Sequence, residues 1–254
     1  ESFMEAEETL KAYIPSRDFR LPELEDLSDL LSKNYSLAFT HQLLKSQNWN
    51  EVWESNFHPV LILDKVYVRA PFHKSNNSVK YEIVIEPKMS FGTAHHETTS
   101  MMIELMLEEN LSGSSVLDMG CGTGILAILA EMLGAKIIMA IDNDERAYEN
   151  TLENIRKNKC RKISVFMGNV GLLKNERFGL ILANINRNVL LEDMIIYADH
   201  LISGGVLLMS GFYNDDFDII LQSAMDSGLT PDKKIIKNDW LAVRFSKSKQ
   251  TVAK

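Results

Sequence analysis

From residue 98 onward, short apolar runs alternate with helical stretches, and this alternation restricts the fold more than any other feature of the chain. Val116-Leu117, Lys136–Ile141, Ile163–Met167, Leu180–Ala183 and Val206–Ser210 read as buried strands. Thr98–Asn110, Ile125–Leu133, Asp144–Asn158, Val189–Leu201 and Phe217–Ser227 read as helices. Gly134 suits the position just past a helix end, and Ser203-Gly204-Gly205 reads as a turn. Parallel strands need long crossovers, so this order predicts a parallel sheet with helices on both faces. Two further strands, around Ile235-Ile236 and Leu241–Phe245, are separated by a few residues around Asn238-Asp239. No crossover helix fits there, so they are expected to form an antiparallel hairpin. The expectation is an α/β chain with a doubly wound, seven-stranded sheet filling residues 91–254. A hairpin ending argues against a dinucleotide dehydrogenase, whose last strand arrives by another helical crossover.

The remaining chain is read in two parts. Residues 48–90 are taken as a linker and small β region. Trp49 and Trp53 suit one face of a short helix. Val60–Leu63 and Val66–Val68 flank an Asp64-Lys65 turn, and Tyr81–Ile85 alternates with period two. Residues 1–47 hold a helical pattern from Leu21 to Leu31, with Pro22 in the first turn. This stretch is too short to bury a core of its own and is read as the remnant of a small domain. The chain starts at Glu1 rather than Met, so part of the natural N-terminus is expected to be missing.

Composition narrows the function classes. A formal net charge of -8 is a poor basis for binding nucleic acid through phosphates, so no direct contact with nucleic acid is expected. The two cysteines, Cys121 and Cys160, make no disulfide framework and fit no zinc spacing. No run of 18 apolar residues occurs, so no membrane span is expected. The reading is a cytoplasmic, monomeric enzyme.

The chemistry is concentrated in Val116-Leu117-Asp118-Met119-Gly120-Cys121-Gly122-Thr123-Gly124. A strand ends near Asp118, and a helix begins near Ile125. Between them glycine occupies every second position, which lets the backbone turn tightly and lets a ligand lie on it. A dinucleotide fingerprint spaces its glycines as G-x-G-x-x-G to seat a pyrophosphate. Here the spacing is G-x-G-x-G, with an acid two residues before it. An acid there suits a cationic ligand such as the amino group of a methionine moiety, which points to S-adenosylmethionine. Gly120, Gly122, Gly124 and Asp118 are therefore candidate cofactor contacts. Asp142 ends the next strand, 20 residues after Gly122, and is positioned to accept from ribose hydroxyls. Asp144 reads as a helix cap. Asn169 ends the third strand, either pairing with an adenine amino group or serving a turn.

Together with the glycine loop, three segments resemble the PrmA family of ribosomal protein L11 methyltransferases. They are Phe91-Gly92-Thr93-Ala94-His95-His96-Glu97-Thr98-Thr99, Ala183-Asn184-Ile185, and Ser203-Gly204-Gly205 through Ser210-Gly211. The stretch Trp49, Trp53, Phe57 and Pro59 looks like that family's linker, so the resemblance spans about residues 45–245. It implies methylation of lysine side chains and of the N-terminal α-amine of a large-subunit ribosomal protein. It also implies a ferredoxin-like substrate-recognition domain, of which residues 1–47 would be a stub. Thr93 and Thr98 are carried over as cofactor or gate contacts, with helix capping as the alternative for Thr98. Two positions depart from the family pattern: Ala94 replaces a glycine and Glu97 a proline. If position 94 needs positive φ, alanine costs about 1 kcal/mol there. His95-His96-Glu97 lacks the spacing of a metal site, and none is expected.

Asn184 sits at the carboxyl edge of the sheet, where ligands of open α/β folds bind. Its side-chain oxygen can accept from an attacking amine and aim the nitrogen lone pair. A turn or cap before the next helix is the competing role. The resemblance favours catalysis and cofactor contact. The alternatives are a related methyltransferase for nucleic acid or a small molecule, and a non-catalytic ribosome-associated protein. The Asn-Pro-Pro-Tyr type motif of amino-directed nucleic-acid enzymes is missing, and the intact Asp118, glycines and Asp142 argue against a dead pocket.

Overall fold

The computed structural model describes residues 2–6, 9–13, 18–31, 39–41, 58–86, 94 and 96–248. The chain divides into two compact units, residues 1–56 and 57–254. In the first, β1 (Ser2–Ala6) and β2 (Thr9–Tyr13) form an antiparallel pair, followed by α1 (Leu21–Leu31). Pro22 lies in the first turn of α1, where its missing N–H has no intrahelical partner to lose. The expected helix around Trp49 and Trp53 falls outside the described residues.

The second unit opens with a three-stranded sheet of β3 (Val60–Ile62), β4 (Val66–Arg69) and β5 (Tyr81–Val84). Leu63 and Asp64 adopt positive φ in the expected β3–β4 turn, and β5 runs parallel to β4. There follow α2 (Glu97–Met106), β6 (Ser115–Met119), α3 (Ile125–Met132), β7 (Ile137–Asp142), α4 (Glu145–Lys157) and β8 (Ile163–Met167). The chain continues through β9 (Phe178–Asn184), α5 (Arg187–His200), β10 (Leu201–Tyr213), α6 (Phe217–Asp226), β11 (Leu229–Lys237) and β12 (Trp240–Lys247).

Seven strands form one sheet in the order β11-β12-β10-β9-β6-β7-β8. The five strands from β10 to the edge strand β8 are parallel, and β12 runs antiparallel to both β10 and β11. The hairpin expected at the end therefore folds back, with β12 inserted against β10 and β11 left at the edge. Pro231, which has no N–H to give to a ladder, lies in that edge strand beside a register shift. Period-two alternation divides the strands between two cores. Val116, Leu180, Leu182 and Leu208 pack with α2 and α3, while Leu117, Ile181, Ala183 and Leu207 pack with α5 and α6. Ile62, Val66, Val68 and Ile83 join the first core, so the small sheet shares it.

One local expectation fails. Ser203-Gly204-Gly205 is not a turn between helix and strand, because α5 stops at His200 and β10 starts at Leu201. Leu201 pairs with Phe178 and Val206 with Leu180, so the three residues bulge out of a continuous strand. A bulge and a turn draw on the same residue types, and only pairing with β9 distinguishes them.

The open edge of β5 is closed by side chains rather than by a strand. Asn158, the C-cap of α4, accepts from Val84 N–H at 2.9 Å and donates to Val84 C=O at 2.7 Å. Asn154 accepts from Glu86 N–H at 2.8 Å, and Asn150 donates to Glu86 C=O at 3.3 Å. Four helical residues rise about 6 Å and two strand residues about 6.6 Å, so asparagines at i, i+4 and i+8 match a strand edge. Asn158→Ala strands both polar groups of Val84. It is expected to cost about 1–3 kcal/mol, read as a lower urea midpoint at unchanged slope.

Candidate active site

Strand order reverses between β6 and β9, because the chain leaves β6 toward β7 and β8 and then returns to β9 on the other side. In open α/β sheets a crevice opens beyond the carboxyl ends of the strands at such a point. Met119 pairs with Ala183, so Gly120 and Asn184 emerge side by side at that edge.

Gly120, Gly122 and Gly124 have φ of 69°, 57° and 77°. Gly124 is the N-cap of α3, and a Cβ on it would lie 2.8 Å from Thr151 Cγ2. A Cβ on Gly120 would collide with the Ile185 side chain, which lies against the loop. The loop is tied down from several sides. Gly122 N–H donates to Asp142 Oδ2 at 2.8 Å, and Asp144 N–H to Asp142 Oδ1 at 3.0 Å. Thr151 O–H donates to Gly122 C=O at 2.8 Å, and Asn154 Nδ2–H to Thr123 C=O at 2.9 Å. Asp144 caps α4 through Arg146 N–H at 2.7 Å, as its position suggests.

Asp118 is buried, and its Oδ2 accepts from Ala127 N–H in the first turn of α3 at 3.0 Å. It thus anchors the junction of loop and helix from beneath. Burial pushes its pKa from 3.8 up to about 7; the Ala127 hydrogen bond opposes this, and the charge of Asp142 adds to it. Cys121 lies within the same loop, and burial raises its thiol pKa.

Asn184 is the last residue of β9. Its Nδ2–H donates to Thr99 Oγ1 at 3.3 Å, while its Oδ1 is buried with no hydrogen-bond partner. A buried unpaired acceptor is costly, so one at the carboxyl edge of a sheet points to a donor supplied by a ligand. The cap role considered for Asn184 belongs instead to Asn186, which accepts from Val189 N–H at 3.2 Å.

Thr98 is buried, but the cap of α2 is His96: its Nδ1 accepts from Thr98 N–H at 3.3 Å and lies 2.9 Å from Thr98 Oγ1. The imidazole also meets Trp240 edge to face at 4.7 Å. Ala94 does adopt positive φ, at 64°. Thr93 lies outside the described residues, as do Phe91, Gly92 and His95. Asn169 is exposed, and its Oδ1 caps the short 3₁₀ turn Val170–Leu172 through Gly171 N–H at 2.9 Å, the turn role open to it from sequence. Thr99, Thr151 and Asn154 were not among the sequence candidates. Three asparagines on one face of a charged helix were the available signal for the last of these.

These residues fit S-adenosylmethionine. Each Asp142 oxygen accepts one N–H and keeps a lone pair for a ribose hydroxyl. The loop glycines keep side chains off the ligand's path, and Asn184 presents a free acceptor at the adjoining strand end. Fold and site together define a class I S-adenosylmethionine-dependent methyltransferase. A family profile described as ribosomal protein L11 methyltransferase (PrmA) matches residues 1–248, and the chain belongs to that family. The ribosomal protein L11 methyltransferase of Porphyromonas gingivalis is 46% identical over 253 residues, covering 97% of this chain and 86% of that protein. The protein of the same name from Bacteroides fragilis is 43% identical over 248 residues, covering 96% and 89%. The ribosomal protein L11 methylase structure from Lactobacillus delbrueckii subsp. bulgaricus superposes with a TM-score of 0.70 at 24% identity, over 76% of this chain and all (100%) of that one. This last likeness concerns the fold alone.

Two measurements check the site. Asp118 has a raised folded-state pKa, so the folded state holds a proton that the unfolded state has lost between pH 3.8 and about 7. Its contribution to stability is full below that window and is lost as pH rises through it. Urea unfolding from pH 4 to 8 should show this slope, and Asp118→Asn should flatten it. Asp142→Ala frees Gly122 N–H and removes the carboxylate expected to accept from ribose; calorimetric affinity for S-adenosylhomocysteine is expected to fall roughly tenfold or more.

Proposed function

We propose that this enzyme methylates amines of ribosomal protein L11, both lysine ε-amines and the N-terminal α-amine. The observation that carries the reading is the unpaired, buried Oδ1 of Asn184 beside the glycine loop. The names of the family and of the relatives supply the protein substrate. Bound S-adenosylmethionine supplies a methyl group activated by a sulfonium. Gly120, Gly122 and Gly124 would underlie it, Asp142 would accept from its ribose, and Asp118 would support the bound cofactor from beneath by holding the junction of loop and helix. Thr93, Thr98 and Asn169 are proposed as further contacts.

Asn184 is the catalytic residue of this proposal. Its Oδ1 would accept an N–H of the incoming amine and so fix the direction of the lone pair. Thr99 Oγ1 accepts from the amide nitrogen, which leaves the amide oxygen for the amine. A lysine must first lose a proton, which at pH 7 costs about 3 pKa units, or roughly 4–5 kcal/mol. Desolvation and a neighbouring positive charge both lower that cost. An α-amine needs little help. The proton is assigned to solvent. Residues 1–47 would belong to the substrate-recognition part and residues 91–254 to catalysis, in a monomer acting in the cytoplasm.

Incubation with L11 and S-adenosylmethionine, followed by mass spectrometry, should show added methyl groups on amines. Asn184→Ala should lower kcat by roughly a hundredfold. Unchanged turnover in that variant would remove Asn184 from the chemistry.

A further inference from the structure

The glycine loop owes its shape to a residue outside the usual strand–loop–helix unit. Asn154 lies in the second half of α4 and is fully buried, at 0% exposure. One side-chain amide makes two long-range connections. Its Nδ2–H donates to Thr123 C=O in the loop at 2.9 Å, and its Oδ1 accepts from Glu86 N–H beyond β5 at 2.8 Å. A further contact of Nδ2 with Asn150 Oδ1 at 3.3 Å fixes which way the amide faces. Thr151, also fully buried, holds the neighbouring carbonyl of Gly122.

In a trans peptide the C=O and the following N–H point in opposite directions. Holding the carbonyls of Gly122 and Thr123 against α4 therefore sets the direction of the Thr123 and Gly124 N–H groups. Gly124 N–H closes the turn on Cys121 C=O at 2.7 Å. A loop with three positive-φ glycines has little stiffness of its own, so these contacts choose one conformation among many.

We propose that Asn154 is a positioning residue for S-adenosylmethionine. It presets the glycine loop through Thr123 and locks it to the end of β5 through Glu86, so cofactor affinity depends on a side chain that faces away from the ligand. Asn158 supplies the internal comparison. It clasps β5 in the same way at Val84, from the same helix, but bonds to no residue of the loop.

The test is calorimetric binding of S-adenosylhomocysteine, which needs no methyl acceptor and no assumption about the protein substrate. Asn154→Asp keeps the acceptor for Glu86 and loses the amide donor to Thr123; Asn154→Ser gives a neutral variant that no longer reaches the loop. Both should raise Kd roughly tenfold, the cost of one well-placed hydrogen bond of about 1.4 kcal/mol. Asn158→Ala should leave Kd within about twofold while lowering thermal stability. In methyl-transfer assays KM for S-adenosylmethionine should follow Kd in the Asn154 variants while kcat changes little. The proposal is overturned if a folded Asn154 variant binds with wild-type affinity, or if Asn158→Ala weakens binding as much.

Discussion

Backbone polar groups buried without a partner are costly, and the loop after β6 is a buried stretch whose backbone pairs with itself only where Gly124 N–H meets Cys121 C=O. Residues 121–124 lie away from solvent and turn too sharply to join a ladder. Their remaining N–H and C=O groups must find partners elsewhere. Asp142 takes Gly122 N–H, Thr151 takes Gly122 C=O and Asn154 takes Thr123 C=O, while Asp118 takes the first-turn N–H of Ala127 just beyond. Two adjacent strands and one helix are thereby committed to fixed positions around this loop.

The same economy appears on the other side of the crevice. The first turn of α2 is held from three directions. Thr99 meets Asn184 at the end of β9, His96 packs on Trp240 at the start of β12, and Glu97 accepts from Asn238 in the final hairpin at 2.8 Å. The Asn238 contact holds the Glu97 carboxyl below its ordinary pKa. Lys237 extends the connection to Ser100 and Glu104. Asn238 and Asp239 carry the positive φ of a tight hairpin, so the turn that reverses the chain also braces the helix beside the reacting edge. Asn184 is fixed as a result, with one end of its amide used and the other left for a donor.

Much of this was legible in the chain. Strands and helices after residue 98 carry periodicities strong enough to place within a few residues, and Ile163–Met167 falls as read. The hairpin was forced by the short spacing around Asn238-Asp239. Asp118, Asp142 and Asn184 were visible because each lies at or next to the end of a strand before a turn, at the edge where such folds bind ligands. The bulge at Ser203-Gly204-Gly205 was not, since glycine marks turns and bulges alike and the difference lies in what the partner strand does. Asn154 and Thr151 were not either: polar residues inside a helix full of charges look like solvent-facing ones until the helix is docked.

The sequence by itself determined the layered α/β architecture, the glycine loop and the two acids, because periodicity, glycine spacing and strand ends are local properties of the chain. Tertiary structure alone decided what those acids and amides touch. It spent Asp118 on Ala127, capped α2 with His96 rather than Thr98, turned the asparagines of α4 onto β5 and the loop, and left Asn184 Oδ1 without a partner. Hydrogen bonds between residues 31 to 85 positions apart depend on how elements dock, and no short-range pattern encodes that.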